Sequence, residues 1–101
     1  MTPSRARIDL PREQIADFCR RHHIRWLALF GSVLRDDFTP DSDVDVLVEF
    51  ESGGVPGFAF AGMGEELSQI LRRRVELRTP DELSAYFRDE VLADAEELYQ
   101  G

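Results

Sequence analysis

Three carboxylates and a glycine–serine pair are the residues whose types and spacing suit chemistry. Asp43 and Asp45 flank Val44 at the head of an apolar run, Val44-Asp45-Val46-Leu47-Val48-Glu49-Phe50. In a strand, residues i and i+2 share a face, so the two carboxylates project together. Neighbouring anions repel. A hard divalent cation relieves that repulsion, and carboxylate oxygens are the ligands magnesium prefers. Such a site suits phosphoryl or nucleotidyl transfer, in which metal ions clamp the attacking and leaving oxygens. A third carboxylate, Glu76, stands between Val75 and Leu77 and therefore points away from the core. If its strand lies beside the one carrying Asp45, Glu76 completes the set. It is then placed to bind the metal and help deprotonate an attacking hydroxyl.

Gly31 and Ser32 end another apolar run, and ten residues separate them from Asp43. A glycine just past a strand lets a ligand approach the backbone. Ser32 can cap a short helical turn over Val33, Leu34 and Arg35, whose N–H groups would suit an anion. Gly-Ser alone is weak evidence, since it commonly marks only a turn, and so is Asp-x-Asp. A calcium loop starting at Asp41 fails, because Val46 stands where glycine is needed and Ser52 where glutamate is needed. There is no Gly-Lys-Ser/Thr phosphate loop. His22 and His23 are adjacent and have no further ligands at zinc spacing.

The elements that must position these residues follow from periodicity. Pro11 opens a helix running to about His23, with Ile15, Phe18 and Cys19 on one face. Ile24 to Phe30 reads as a buried strand. The segment from Asp36 to Asp43 is dense in turn formers, and Val44 to Phe50 is a second strand. Gly53 to Gly57 breaks the chain. A helix is expected from about Phe58 to Arg73, with Met63, Leu67, Ile70 and Leu71 inward, followed by a third strand around Val75 to Leu77. A helical pattern then runs from Pro80 through Leu83, Tyr86 and Phe87 to Leu98 and Tyr99. The order predicts an α/β or α+β domain, a small sheet covered by helices.

The 101 residues predict a single domain over 1–101. The formal net charge of −8 disfavours direct nucleic-acid binding. Two basic clusters, Arg20-Arg21-His22-His23 with Arg25 and Arg72-Arg73-Arg74, read as wet helix ends, or else as contacts for an acidic partner or phosphates. A lone cysteine, Cys19, excludes an internal disulfide. No apolar run reaches membrane-spanning length, and residues 1–10 carry no signal-peptide core. The expected location is cytoplasmic.

Leu29-Phe30-Gly31-Ser32-Val33-Leu34-Arg35, followed by Ser42-Asp43-Val44-Asp45-Val46-Leu47-Val48, resembles the signature of the minimal nucleotidyltransferases. These are the smallest members of the DNA polymerase beta-like superfamily. The resemblance implies a mixed sheet flanked by helices, magnesium as cofactor, and transfer of AMP from ATP to a hydroxyl. It also implies an antitoxin whose acceptor is a tyrosine of a partner HEPN-type ribonuclease toxin, with an oligomer formed with that partner. On this chain Gly31 and Ser32 would hold the triphosphate, and Asp43 and Asp45 the metal. Glu76 falls where the family usually has a third aspartate. Arg35 matches a family arginine and has two open roles, binding phosphate or bracing the turn. Asp36 stands where glycine is common. The alternative is an antitoxin with a weak or inactive site that neutralises its partner by binding alone. A small-molecule nucleotidyltransferase would need an additional substrate lobe. Tyr86, Phe87 and Tyr99 read as ordinary core, or else as a docking face.

Overall fold

In the computed structural model, residues 10–34, 38–39, 41–51 and 59–101 are described. Their elements run α1 (Arg12–Arg21), β1 (Ile24–Phe30), a 3-10 turn (Gly31–Leu34), β2 (Val44–Phe50), α2 (Ala59–Leu71), β3 (Val75–Arg78), a 3-10 turn (Pro80–Glu82), α3 (Arg88–Asp94) and β4 (Glu96–Gln100). The four strands form one mixed sheet in the order β3-β2-β1-β4. β1 is antiparallel to both β2 and β4, whereas β2 and β3 are parallel. Parallel neighbours need a crossover, and α2 lies within that connection. Among the described residues no helix is long and apolar enough to cross a membrane.

One sheet face carries the main core. Val44, Val46, Val48 and Phe50 of β2 meet Ile24, Leu27 and Leu29 of β1 there, under Ile15, Phe18 and Cys19 of α1 and Met63, Leu67 and Leu71 of α2. The inward helix positions match the predicted spacing, although Ile70 is only partly buried. Burial pushes the Cys19 thiol up to about 12, so it packs as a small apolar group. The first basic cluster puts Arg20 and Arg21 in the last turn of α1. Arg21 pairs with Asp17 at 2.9 Å and with Glu66, and His22 Nε2 lies 2.8 Å from Glu66 Oε1, which ties α1 to α2.

The C-terminal segment departs from the expected helix. Only Arg88–Asp94 is α-helical, and Leu83 is extended. Ala95 turns the chain out with ψ 140°, and Glu96–Gln100 pairs along β1. Local preference favours helix in this Glu- and Leu-rich stretch. The second edge of the central strand β1 needs hydrogen-bond partners, however, and that demand prevails. Trp26 Nε1 donates to Glu97 Oε2 at 2.8 Å across the new pair. Tyr86 and Phe87 are not core: Tyr86 is 98% exposed and Phe87 50%. The expected breaker at Gly53–Gly57 lies outside the described residues.

α2 ends with Arg72 at φ 57°, and Arg73 N–H donates to Ser68 O at 3.1 Å. That is the left-handed helix stop in which glycine is favoured, because any Cβ is strained there. Arg72→Gly is therefore expected to raise stability by about 0.5–1 kcal/mol. Arg72→Val should lower it. Urea unfolding midpoints of the two variants and the parent check both signs.

Candidate active site

Gly31, Asp45 and Glu76 meet where β1 ends and β2 and β3 begin. Phe30 is the cross-strand partner of Asp45, and Asp45 is in turn paired in register with Glu76 of the parallel strand β3. Alternation places Asp45, Leu47 and Glu49 on the sheet face opposite the main core, and it places Glu76 and Arg78 there as well. The conditional expectation for Glu76 is thus met. The acid between two apolar residues points outward, on a strand directly beside that of Asp45.

Asp45 and Glu76 are close enough to share a side-chain hydrogen bond. Asp45 is half-buried, and its carboxyl is pushed up to about 6. Loss of solvent is the largest cause, followed by the charge of Glu76, the hydrogen bond with Glu76 and, least, the charge of Asp43; Arg78 opposes them. Arg78 lies 3.4 Å from Glu76 and 3.9 Å from Glu82, and so bridges the site to the turn after β3. Asp43 is oriented differently. Its Oδ1 lies 3.7 Å from Arg74 Nη1, and Arg74 O accepts from Val44 N–H at 2.8 Å. Among the described residues no three ligating side chains converge on one point as they stand. The structure therefore joins Asp45 and Glu76 and leaves Asp43 turned towards Arg74.

Gly31 explains the close approach of β1 to this pair. Its φ is +79°, and a Cβ built there would lie 2.5 Å from Asp45 Oδ2. Both the backbone conformation and the space forbid a side chain. Ser32 belongs to the 3-10 turn by its backbone; its side chain, with Arg35 and Asp36, lies outside the described residues. The turn before β2 is visible in part, where Ser42 N–H donates to Thr39 O at 3.0 Å and Thr39 N–H to Ser42 Oγ at 3.1 Å. Sequence reasoning placed Arg74 in a basic cluster at a helix end and did not single out Arg78. The signal available for Arg78 was its i+2 spacing from Glu76.

The donor set suits a hard divalent cation. It is all oxygen, and loss of solvent together with the crowding of like charges raises the affinity of Asp45 for a proton. Asp45 and Glu76 could hold such an ion, with Asp43 turning from Arg74 to join them.

Residues 12–98 match the nucleotidyltransferase domain family. The chain belongs to that family. The protein adenylyltransferase MntA of Thermococcus cleftensis is 35% identical over 75 residues, which is 73% of this chain and 74% of the relative. A Methanocaldococcus jannaschii protein assigned as a protein adenylyltransferase is 37% identical over 60 residues, 58% of this chain; the chain spans only 60% of that relative's length. A solved structure assigned as a minimal nucleotidyltransferase superposes with a TM-score of 0.67 at 35% identity, over 83% of this chain and 85% of that one. A chain from the complex of tri-AMPylated Shewanella oneidensis HEPN toxin with MNT antitoxin superposes with a TM-score of 0.65 at 20% identity, over 89% and 70%. It has the same fold.

Two outcomes follow from the crowded carboxylates. The folded chain holds the Asp45 proton more tightly than the unfolded chain does. That contribution is complete below about pH 4 and is lost as pH rises through about 6. In chelator at pH 7.5, Asp45→Asn should therefore be more stable than the parent. We expect about 1 kcal/mol once solvent screening of a half-exposed group is allowed for, or about 4–8 °C in melting temperature. The difference should shrink by pH 4. Gly31→Ala should instead lower the melting temperature at every pH, because its Cβ strains the turn and strikes Asp45. Thermal melts of both variants across pH decide this.

Proposed function

We propose that the chain transfers AMP from ATP to a hydroxyl, most simply a tyrosine hydroxyl, of a HEPN-type ribonuclease toxin, and so acts as its cytoplasmic antitoxin. The observation that carries this reading is the Asp45–Glu76 carboxylate pair beside the Gly31 turn, in a chain of the nucleotidyltransferase family. The relative named protein adenylyltransferase MntA and the AMPylated toxin bound to an MNT antitoxin support the choice of acceptor.

Gly31, having no Cβ, leaves room for the Asp45 carboxylate at the end of β1, and its assignment to the triphosphate comes from the sequence pattern. Ser32 and Arg35 are assigned to the triphosphate on the sequence pattern alone. Asp43, Asp45 and Glu76 would hold magnesium, which supplies charge neutralisation at the phosphates and polarises the attacked phosphorus. The acceptor oxygen bonds to the α-phosphorus as the bond from that phosphorus to its bridging oxygen breaks, and pyrophosphate leaves. Glu76, 47% exposed at its side chain and in contact with Asp45, takes the acceptor's proton. Arg78, beside Glu76, holds that carboxylate in place before substrate arrives. Transfer to a protein hydroxyl, with an oligomer formed between chain and toxin, fits a site open on one sheet face.

The test is label transfer from α-labelled ATP to the toxin with magnesium. The parent should label a discrete toxin band, and Asp45→Asn should abolish it. Glu76→Asp should lower the rate by about tenfold or more, because the shorter acid withdraws from Asp45 and small misplacements cost heavily. A faster Glu76→Asp enzyme would mean that the natural site is attenuated. Toxin neutralised without any label would favour occlusion by binding alone.

A further inference from the structure

Among the described residues two large apolar side chains are exposed, and they are adjacent: Tyr86 and Phe87. They lie in the segment that leaves β3, crosses the sheet and enters α3. The 3-10 turn Pro80–Glu82 touches β2, and α3 touches β1. Leu47 and Ala28, cross-strand partners, are fully buried but stand apart from the main core. This segment covers them. It therefore lies on the same sheet face as Asp45 and Glu76, with the two aromatic residues at its surface.

The segment is built rather than loose. Thr79 and Glu82 form a capping box. Arg88 turns inward, its Nε donating to Pro80 O at 2.9 Å and its Nη2 to Leu83 O at 3.0 Å and Asp81 O at 3.4 Å. Phe87 and Arg88 N–H both donate to Ser84 O, at 3.2 and 3.0 Å. Aromatic residues held on an ordered backbone lose little entropy on binding, which is what makes such side chains dominate interfaces. The polar surroundings have one sign. Asp81, Asp89 and Glu90 are exposed near the aromatic pair, and the nearby cation, Arg88, is committed to backbone carbonyls.

We propose that Tyr86 and Phe87, with the acidic residues Asp81, Asp89 and Glu90, form the docking surface for the acceptor protein, a partner with a basic face and an apolar recess. The proposal rests on the functional reading above and adds where the acceptor seats. Charge complementarity argues for a basic partner and against a second copy of this acidic chain. A partner seated on this ridge lies over the sheet face that carries the carboxylates.

The test uses the full chain and the HEPN-domain toxin, with binding followed by calorimetry and transfer by label. Tyr86→Ala should weaken toxin binding at least tenfold. Asp89→Lys with Glu90→Lys should slow association and remove much of its salt dependence. Binding of a magnesium–ATP analogue should stay within twofold of the parent in every variant, which separates docking from the nucleotide site. Because Tyr86 is almost wholly exposed, Tyr86→Ala folds as the parent does, and Tyr86→Asp serves as a second probe. If both Tyr86 variants bind toxin within twofold of the parent, the docking assignment is overturned while the functional reading stands. A ridge that instead mediates self-association, with parent dimers lost in Tyr86→Ala and toxin binding unchanged, overturns it too. Failure of the parent itself to bind toxin overturns the functional reading and this inference with it.

Discussion

The structure turns on the contact between Asp45 and Glu76. Two carboxylates on adjacent strands, in register and half-removed from water, repel unless a proton or a cation stands between them. A fold can hold such a pair only if its backbone is fixed by something else. Here the apolar faces of β2 and β3 supply that fixation. Val44 and Val46 are fully buried, Val75 and Leu77 pack beside them, and Val44 N–H is bonded to Arg74 O. The core side chains and the carboxylates occupy opposite faces of the same short strands. The hydrophobic effect on one face thereby holds charges together on the other.

The same constraint explains the glycine and the arginines. Gly31 is needed because the end of β1 comes within one atom's width of the Asp45 carboxylate. Arg78 softens the negative field from the β3 side, and Arg74 draws Asp43 aside. Asp43, free of the pair, keeps the three charges from collecting at one point. Bringing it back would need a counter-charge stronger than an exposed guanidinium, which a divalent ion supplies.

What could be read from the sequence divides along the same line. β1, β2, α1 and most of α2 were legible because each has one dominant apolar period and a clear stop. The outward direction of Glu76 followed from alternation, and its contact with Asp45 depended only on which strand neighboured β2. The C-terminal strand was not legible. Glu96-Glu97-Leu98-Tyr99-Gln100 has no strand preference of its own and is recruited by the open edge of β1, a demand visible only in three dimensions. The turn of Asp43 towards Arg74 was equally hidden, since it depends on a backbone bond between strands far apart in sequence. Ser32 and Arg35 rest on pattern alone.

That recruited strand has a consequence for the site. Because β4 lies on the far side of β1, the chain must travel from β3 at one edge of the sheet to β4 at the other. It does so across the face that carries Asp45 and Glu76. The crossing is short, and it buries Leu47 and Ala28 but leaves Glu76 exposed. Complete cover would bury two carboxylates with, among the described residues, only Arg78 beside them, and the desolvation cost would rise accordingly. No cover would leave Leu47 wet. The partial cover satisfies both, and it leaves the carboxylates reachable from the side on which the exposed aromatic pair stands.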